Sequence, residues 1–270
     1  MIPKPFHFCL PVFLVPFCFT CNTLTDFFIS DEQEVQMGDK FKAEILADSV
    51  NYPLYKNTST ARDSVIKYIT ALGQKLAGET DRKNLTFTFT LIDNDTMINA
   101  FAIPGGHVFV YTGLLNAAQS GAEVAGVIAH EIGHIAMRHG ANQLMKASAV
   151  DVVNQVLFGD SSSVAGAVAQ ICESLLFLKF SREDEYQADS CSVAFTVAAK
   201  YNPYGMVHFF QTLKAKYGGG TGPFEVVSTH PDTDKRISEV KRIIEKTPNA
   251  PADDGTTWMD PSFAAIKAKI

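Results

Sequence analysis

Residues 123–139 read Glu123-Val-Ala-Gly-Val-Ile-Ala-His-Glu-Ile-Gly-His-Ile-Ala-Met-Arg-His139, and this stretch decides how the rest of the chain is read. Apolar residues at Val124, Val127, Ile128, Ile132 and Ile135 recur at the helical period. Within it, His130, Glu131 and His134 match H-E-x-x-H. Histidines four apart lie on one helix face, so both imidazoles reach a single tetrahedral ion. Glu131 sits beside the first of them, placed to meet a metal-bound water as general base without ligating. The small neighbours Ala125, Gly126, Ala129, Gly133 and Ala136 predict a helix buried in a core, where two histidines and a glutamate without a metal are costly. One long helix is predicted from Gly121 to about Met145, with His139 a surface residue at its end.

A catalytic zinc has three protein ligands and one open position. The metzincin pattern fails, because Met137 and Gly140 stand where Gly and His are required. The third ligand therefore comes from another segment. Ser181-Arg-Glu-Asp-Glu-Tyr-Gln-Ala-Asp189 offers Glu183, Asp184, Glu185 and Asp189 on a predicted helix that turns apolar at Ala188, Val193, Ala194 and Phe195. Glu185 and Asp189 share a face, so one can bind metal while the other orients a histidine. Two histidines and a carboxylate suit one zinc ion per chain.

Outward from these helices, Leu85–Leu91 alternates as a half-buried strand. Met97–Ile103 and His107–Tyr111 are extended runs joined by the turn Pro104-Gly105-Gly106, giving a hairpin of a small sheet just ahead of the motif helix. Asn99, Ala100, Phe101 and Ala102 form an edge strand to which an extended peptide could add as a further strand. Further helices are expected over Val35–Val50 (with a capping box at Ser30 and Gln33), Arg62–Leu76, buried stretches in Val150–Phe180, Asn202–Tyr217 and Thr233–Glu245.

The chain has 270 residues, 46% hydrophobic and 19% charged, enough for a substantial core. Its net charge of -6 lacks the basic excess of a nucleic-acid binder. Pro5–Thr25 carries no charged side chain, and Phe6–Phe19 is too short and too proline-broken for a comfortable membrane span. A signal or anchor segment over residues 1–25 accounts for it. That makes the location extracytoplasmic, with membrane association through the N-terminus open; the residues before Cys21 match a lipidation site poorly. The metallopeptidase domain is set at 26–250 and a C-terminal tail at 251–270. Cys172 and Cys191 read as buried small hydrophobes, or as a disulfide pair.

Four blocks carry a family resemblance: Asn99–Leu115, Glu123–His139, Ser181-Arg182-x-x-Glu185-x-x-Ala188-Asp189, and Ser228-Thr-His-Pro231 through Arg236-Ile237. The chain resembles the HtpX/BepA/LoiP-like zinc metalloendopeptidases, a gluzincin group that includes the CAAX prenyl proteases and mitochondrial Oma, with a layout nearest LoiP. The resemblance implies an α+β, mainly helical zincin-like fold with its small β-sheet beside the motif helix. It implies Glu185 as third zinc ligand by position, and Asp189 beyond the ligands. His230 corresponds to a histidine that approaches the zinc, either to hydrogen-bond the oxyanion or to occupy the open position at rest, and Arg236 supports the same site. Polypeptide substrates follow, with quality control of misfolded envelope proteins as the role and outer-membrane or envelope assembly proteins as partners. The alternative is a zinc-bound chaperone or assembly factor with latent peptidase activity.

Overall fold

A computed structural model describes residues 29–147, 156, 180–217, 233–253 and 261–270. The N-terminal segment, Cys172, most of the 150–180 stretch and the Ser-Thr-His-Pro block with His230 lie outside the described residues.

Helix α1 (Asp31–Ala47) starts at the expected capping box: Ser30 Oγ accepts from Gln33 N–H, and the Gln33 side chain accepts from Ser30 N–H. After it come α2 (Thr60–Ala77), β1 (Thr88–Ile92), β2 (Ala100–Ile103), β3 (His107–Tyr111) and the short α3 (Thr112–Ala117). The strand order is β1-β3-β2; β1 runs parallel to β3 and β2 antiparallel to it, with Phe101 opposite Phe109. Gly105 and Gly106 both adopt positive φ, 84° and 99°, which closes the β2–β3 turn at little steric cost. The hairpin and the edge position of β2 agree with the sequence reading.

The motif helix α4 (Gly121–Ala136) lies at the centre of the molecule, packed against β2, α2, α6 (Arg182–Ala198) and α7 (Gly205–Tyr217). Every residue from Gly121 to Ile135 is buried. Such all-round burial needs small residues where helices cross. A Cβ on Gly133 would stand 2.9 Å from Cys191 Cβ and 3.0 Å from the Ala188 carbonyl oxygen, both on α6. Glycine here lets α6 approach closely enough for its carboxylates to reach the histidines of α4. Helix α8 (Thr233–Lys246) closes over α6 and α7, and α9 (Pro261–Lys267) sets Phe263 and Ile266 into the main core against α2 and α4.

The expectation of one helix from Gly121 to Met145 is corrected. The helix stops at Ala136, and α5 (His139–Ala147) starts in a new direction after Arg138, which is left-handed at φ 57°. A non-glycine residue holds this conformation only when its surroundings fix it. Arg138 is buried, donates through Nη2 to the Ile29 carbonyl at 2.6 Å, and its Nε lies 2.9 Å from Glu34 Oε2. Arg82 meets the same Glu34 oxygen at 3.0 Å and donates to the Ile135 carbonyl at the end of α4. Two arginines and a buried glutamate thus tie α1 to the end of the motif helix. Among the described residues no helix is long and apolar enough to cross a membrane.

Candidate metal centre

Because α4 presents residues four apart on one face, His130 and His134 stand side by side, with Nε2 atoms 3.1 Å apart. Helix α6 begins at Ser181, whose capping box with Asp184 fixes its first turn and so the position of Glu185. Glu185 Oε2 lies 3.5 Å from His130 Nε2, and Oε1 lies 3.7 Å from His134 Nε2. A tetrahedral zinc with bonds of about 2.0–2.1 Å separates its donors by about 3.3–3.4 Å. The three observed separations bracket that value, and all three residues are buried, so this donor set fits the ion.

The surrounding groups hold these donors in place. His130 Nδ1 lies 3.0 Å from Asp189 Oδ1. That contact leaves Nε2 turned toward the other two donors. Arg236, reaching in from α8 and almost wholly buried, donates through Nε and Nη2 to Asp189 at 2.9 and 2.6 Å, and its Nη1 lies 2.8 Å from Glu185 Oε2. Its guanidinium also rests over the Phe210 ring, 4.8 Å from the centroid. Burial and the Arg236 charge both oppose protonation of His130. Hydrogen bonds with Asp189 and Glu185 nevertheless lift its pKa to about 9. Asp189 is pushed up by its burial, but Arg236 outweighs that and holds the carboxyl below its usual range.

Glu131 is buried beside His130 and, with Ala100 of the edge strand, Val127, Met206 and Phe209, lines a small, mainly apolar cavity bounded by Arg236. Of the expected substrate strand, Ala100, Phe101 and Ala102 fall within β2; Asn99 immediately precedes it, and its carbonyl accepts from Tyr111 N–H.

His139 departs from the sequence reading. It is 2% exposed rather than a surface residue, with Nδ1 2.9 Å from His134 Nδ1 and Nε2 3.1 Å from Gln187 Oε1. Burial lowers its pKa. Helical spacing puts a residue five past His134 on the wrong face, and the break at Arg138 brings it back. Phe180 was likewise missed; its ring stacks on His134 with centroids 4.0 Å apart. The one available signal was the Arg138-His139 pair, polar where the helix pattern called for an apolar face.

A histidine pair enclosing a glutamate on one buried helix, with a third carboxylate donor from α6, is the arrangement of a metallopeptidase. Residues 64–244 match the description of peptidase family M48, and the chain belongs to that family. It is 28% identical over 226 residues to a β-barrel assembly-enhancing protease of Escherichia coli K12, a match covering 79% of this chain and 44% of that protein. It is 35% identical over 146 residues to the mitochondrial metalloendopeptidase OMA1 of Arabidopsis thaliana, covering 54% of this chain and 29% of the other. With OMA1 of Schizosaccharomyces pombe the identity is 28% over 216 residues, covering 79% and 61%. The chain thus spans under half the length of its bacterial relative.

Proposed function

We propose that this chain is a zinc-dependent endopeptidase that cleaves extended or misfolded polypeptides, with His130, His134 and Glu185 as zinc ligands and Glu131 as general base. The donor spacing of that trio, with Glu131 on the same helix, carries the reading. A bound zinc supplies Lewis acidity toward water and the scissile carbonyl. Glu131 takes the proton of the attacking water at its carboxylate and returns it to the leaving amine nitrogen. Asp189 and Arg236 keep His130 and Glu185 aligned. The substrate backbone adds to Ala100–Ala102, beginning near Asn99, at the outer edge of β2, a mode that selects unfolded segments over particular sequences. The family resemblance supports a role for His230, which lies outside the described residues, on the oxyanion or as a resting ligand.

The catalytic domain spans residues 26–250, preceded by a signal or anchor segment over 1–25 and followed by a tail over 251–270. The charge-free apolar segment near the N-terminus supports a location outside the cytoplasm, in the periplasm of a bacterium. Relatives named for enhancing β-barrel assembly support a role in envelope protein quality control, because barrels of that kind reside in the outer membrane.

The test compares wild type and Glu131→Gln on unfolded casein, with zinc content measured on both. The variant keeps its zinc and loses about 10²–10⁴-fold in rate. Full cleavage by the variant would falsify the assignment of Glu131.

A further inference from the structure

A chain of polar contacts leads from the metal centre to the surface along one side of His134. At its outer end Gln187 Nε2 donates to Glu183 Oε1 at 3.2 Å, which orients the amide so that its oxygen faces His139. That oxygen only accepts, so the proton of His139 sits on Nε2, 3.1 Å away. The Nδ1 of a neutral His139 is then a lone pair, and it lies 2.9 Å from His134 Nδ1. Two lone pairs do not attract at that distance, so His134 Nδ1 carries a proton and donates it. His134 is left with a lone pair on Nε2, the nitrogen that faces His130 and Glu185. Free imidazole in a histidine side chain favours the opposite tautomer, with its proton on Nε2. The Phe180 ring, inclined by 24° to His134, restrains the plane in which this nitrogen points.

We infer that His139 is a positioning residue for the metal: by accepting the Nδ1–H of His134 it fixes the tautomer and direction of that ligand, and Gln187 holds His139 in the form that can accept. His130 receives the corresponding support from Asp189, a carboxylate; His134 receives it from a neutral imidazole. The asymmetry limits the negative charge around an ion already facing Glu185. The inference rests on the proposed ligation of zinc by His134.

The test is zinc affinity of the full chain, measured by competition with a chromophoric chelator, with the cobalt-substituted absorption spectrum as a second readout of ligand geometry. His139→Phe keeps the volume without the acceptor and weakens zinc by about 10–100-fold. His139→Asn retains an oxygen acceptor near the position of Nδ1 and stays within about threefold of wild type. Gln187→Met, at a partly exposed position that does not threaten the core, weakens zinc by a smaller factor and alters the cobalt spectrum in the same direction as His139→Phe. Wild-type affinity in both His139→Phe and Gln187→Met overturns the inference while leaving the zinc site intact. Equal loss in the Asn and Phe variants overturns it too, since packing alone would then explain the effect. A wild-type chain that binds no zinc, or keeps full affinity as His134→Ala, overturns the proposed function and this inference together.

Discussion

Replacing Arg236 with methionine removes the cation shared by two buried carboxylates while keeping an unbranched apolar stem. In the native arrangement its guanidinium donates to both oxygens of Asp189 and lies 2.8 Å from Glu185 Oε2, with each partner 1% exposed or less. Removing one member of such a buried group leaves an uncompensated charge, a loss of about 3–5 kcal/mol. For a chain of this size each kcal/mol moves the melting temperature by about 2–4 °C. The metal-free variant should therefore melt roughly 6–20 °C below metal-free wild type. Calorimetry in the presence of chelator measures this directly. Adding Asp189→Asn in the same chain removes one of the stranded charges, so the double variant should recover a good part of the loss. Zinc should shrink the gap as well, since the ion takes over neutralisation of Glu185. A single variant within 1 °C of wild type, or a double variant no better than the single, would refute the view that Arg236 stabilises by charge compensation.

Metal removal itself should be visible in stability: a ligand present at about 1,000 times its dissociation constant adds about 4 kcal/mol, so chelation should lower the melting temperature by roughly 8–16 °C and added zinc restore it. Gly133→Ala forces a methyl group against Cys191 and Ala188, and should lose about 1–3 kcal/mol and weaken zinc by about tenfold as α6 is pushed from α4; unchanged zinc affinity would show that the close approach does not set the site. Glu123, buried near the start of α4, has its pKa raised by desolvation to about 7, although a hydrogen bond from Gln119 N–H works the other way. Between its ordinary value and about 7 the folded chain holds a proton that the unfolded chain has released, so stability falls as pH rises through that window. Urea unfolding at pH 5 and pH 8 should show Glu123→Gln gaining on wild type by up to about 3 kcal/mol at the higher pH, and parallel pH profiles would contradict the shift.

The sequence made the parts with regular periods readable. Helical spacing from Gly121 reported a helix, though it was carried on to Met145, strict alternation over Leu85–Leu91 reported a strand that begins only at Thr88, and the H-E-x-x-H spacing fixed which side chains face together. Glu185 and Asp189 could be paired because four residues make one helical turn. What periodicity could not carry was the break at Arg138: a left-handed arginine has no local sequence preference behind it and depends on Glu34 and the Ile29 carbonyl, about a hundred residues upstream. His139 was misplaced for that reason alone. The family resemblance put Arg236 at the site, but no pattern announced that its side chain would cross from α8 to bridge two acidic residues on α6. The parallel pairing of β1 with β3 was equally silent, because strand direction depends on where the connection runs, not on which residues alternate.

The clasp formed by Glu34, Arg82 and Arg138 bears on where this enzyme can be cut. The region matching the family starts at residue 64, yet the glutamate that holds Arg138 sits on α1, well before it. A fragment trimmed to residues 64–244 would keep every proposed zinc ligand and still strand two arginines at the end of the motif helix. The backbone would then have no reason to turn at residue 138, and His139 would swing away from His134. A catalytic fragment should therefore begin ahead of Ile29, because α1 holds the turn that sets His139 against His134 even though it contributes no ligand.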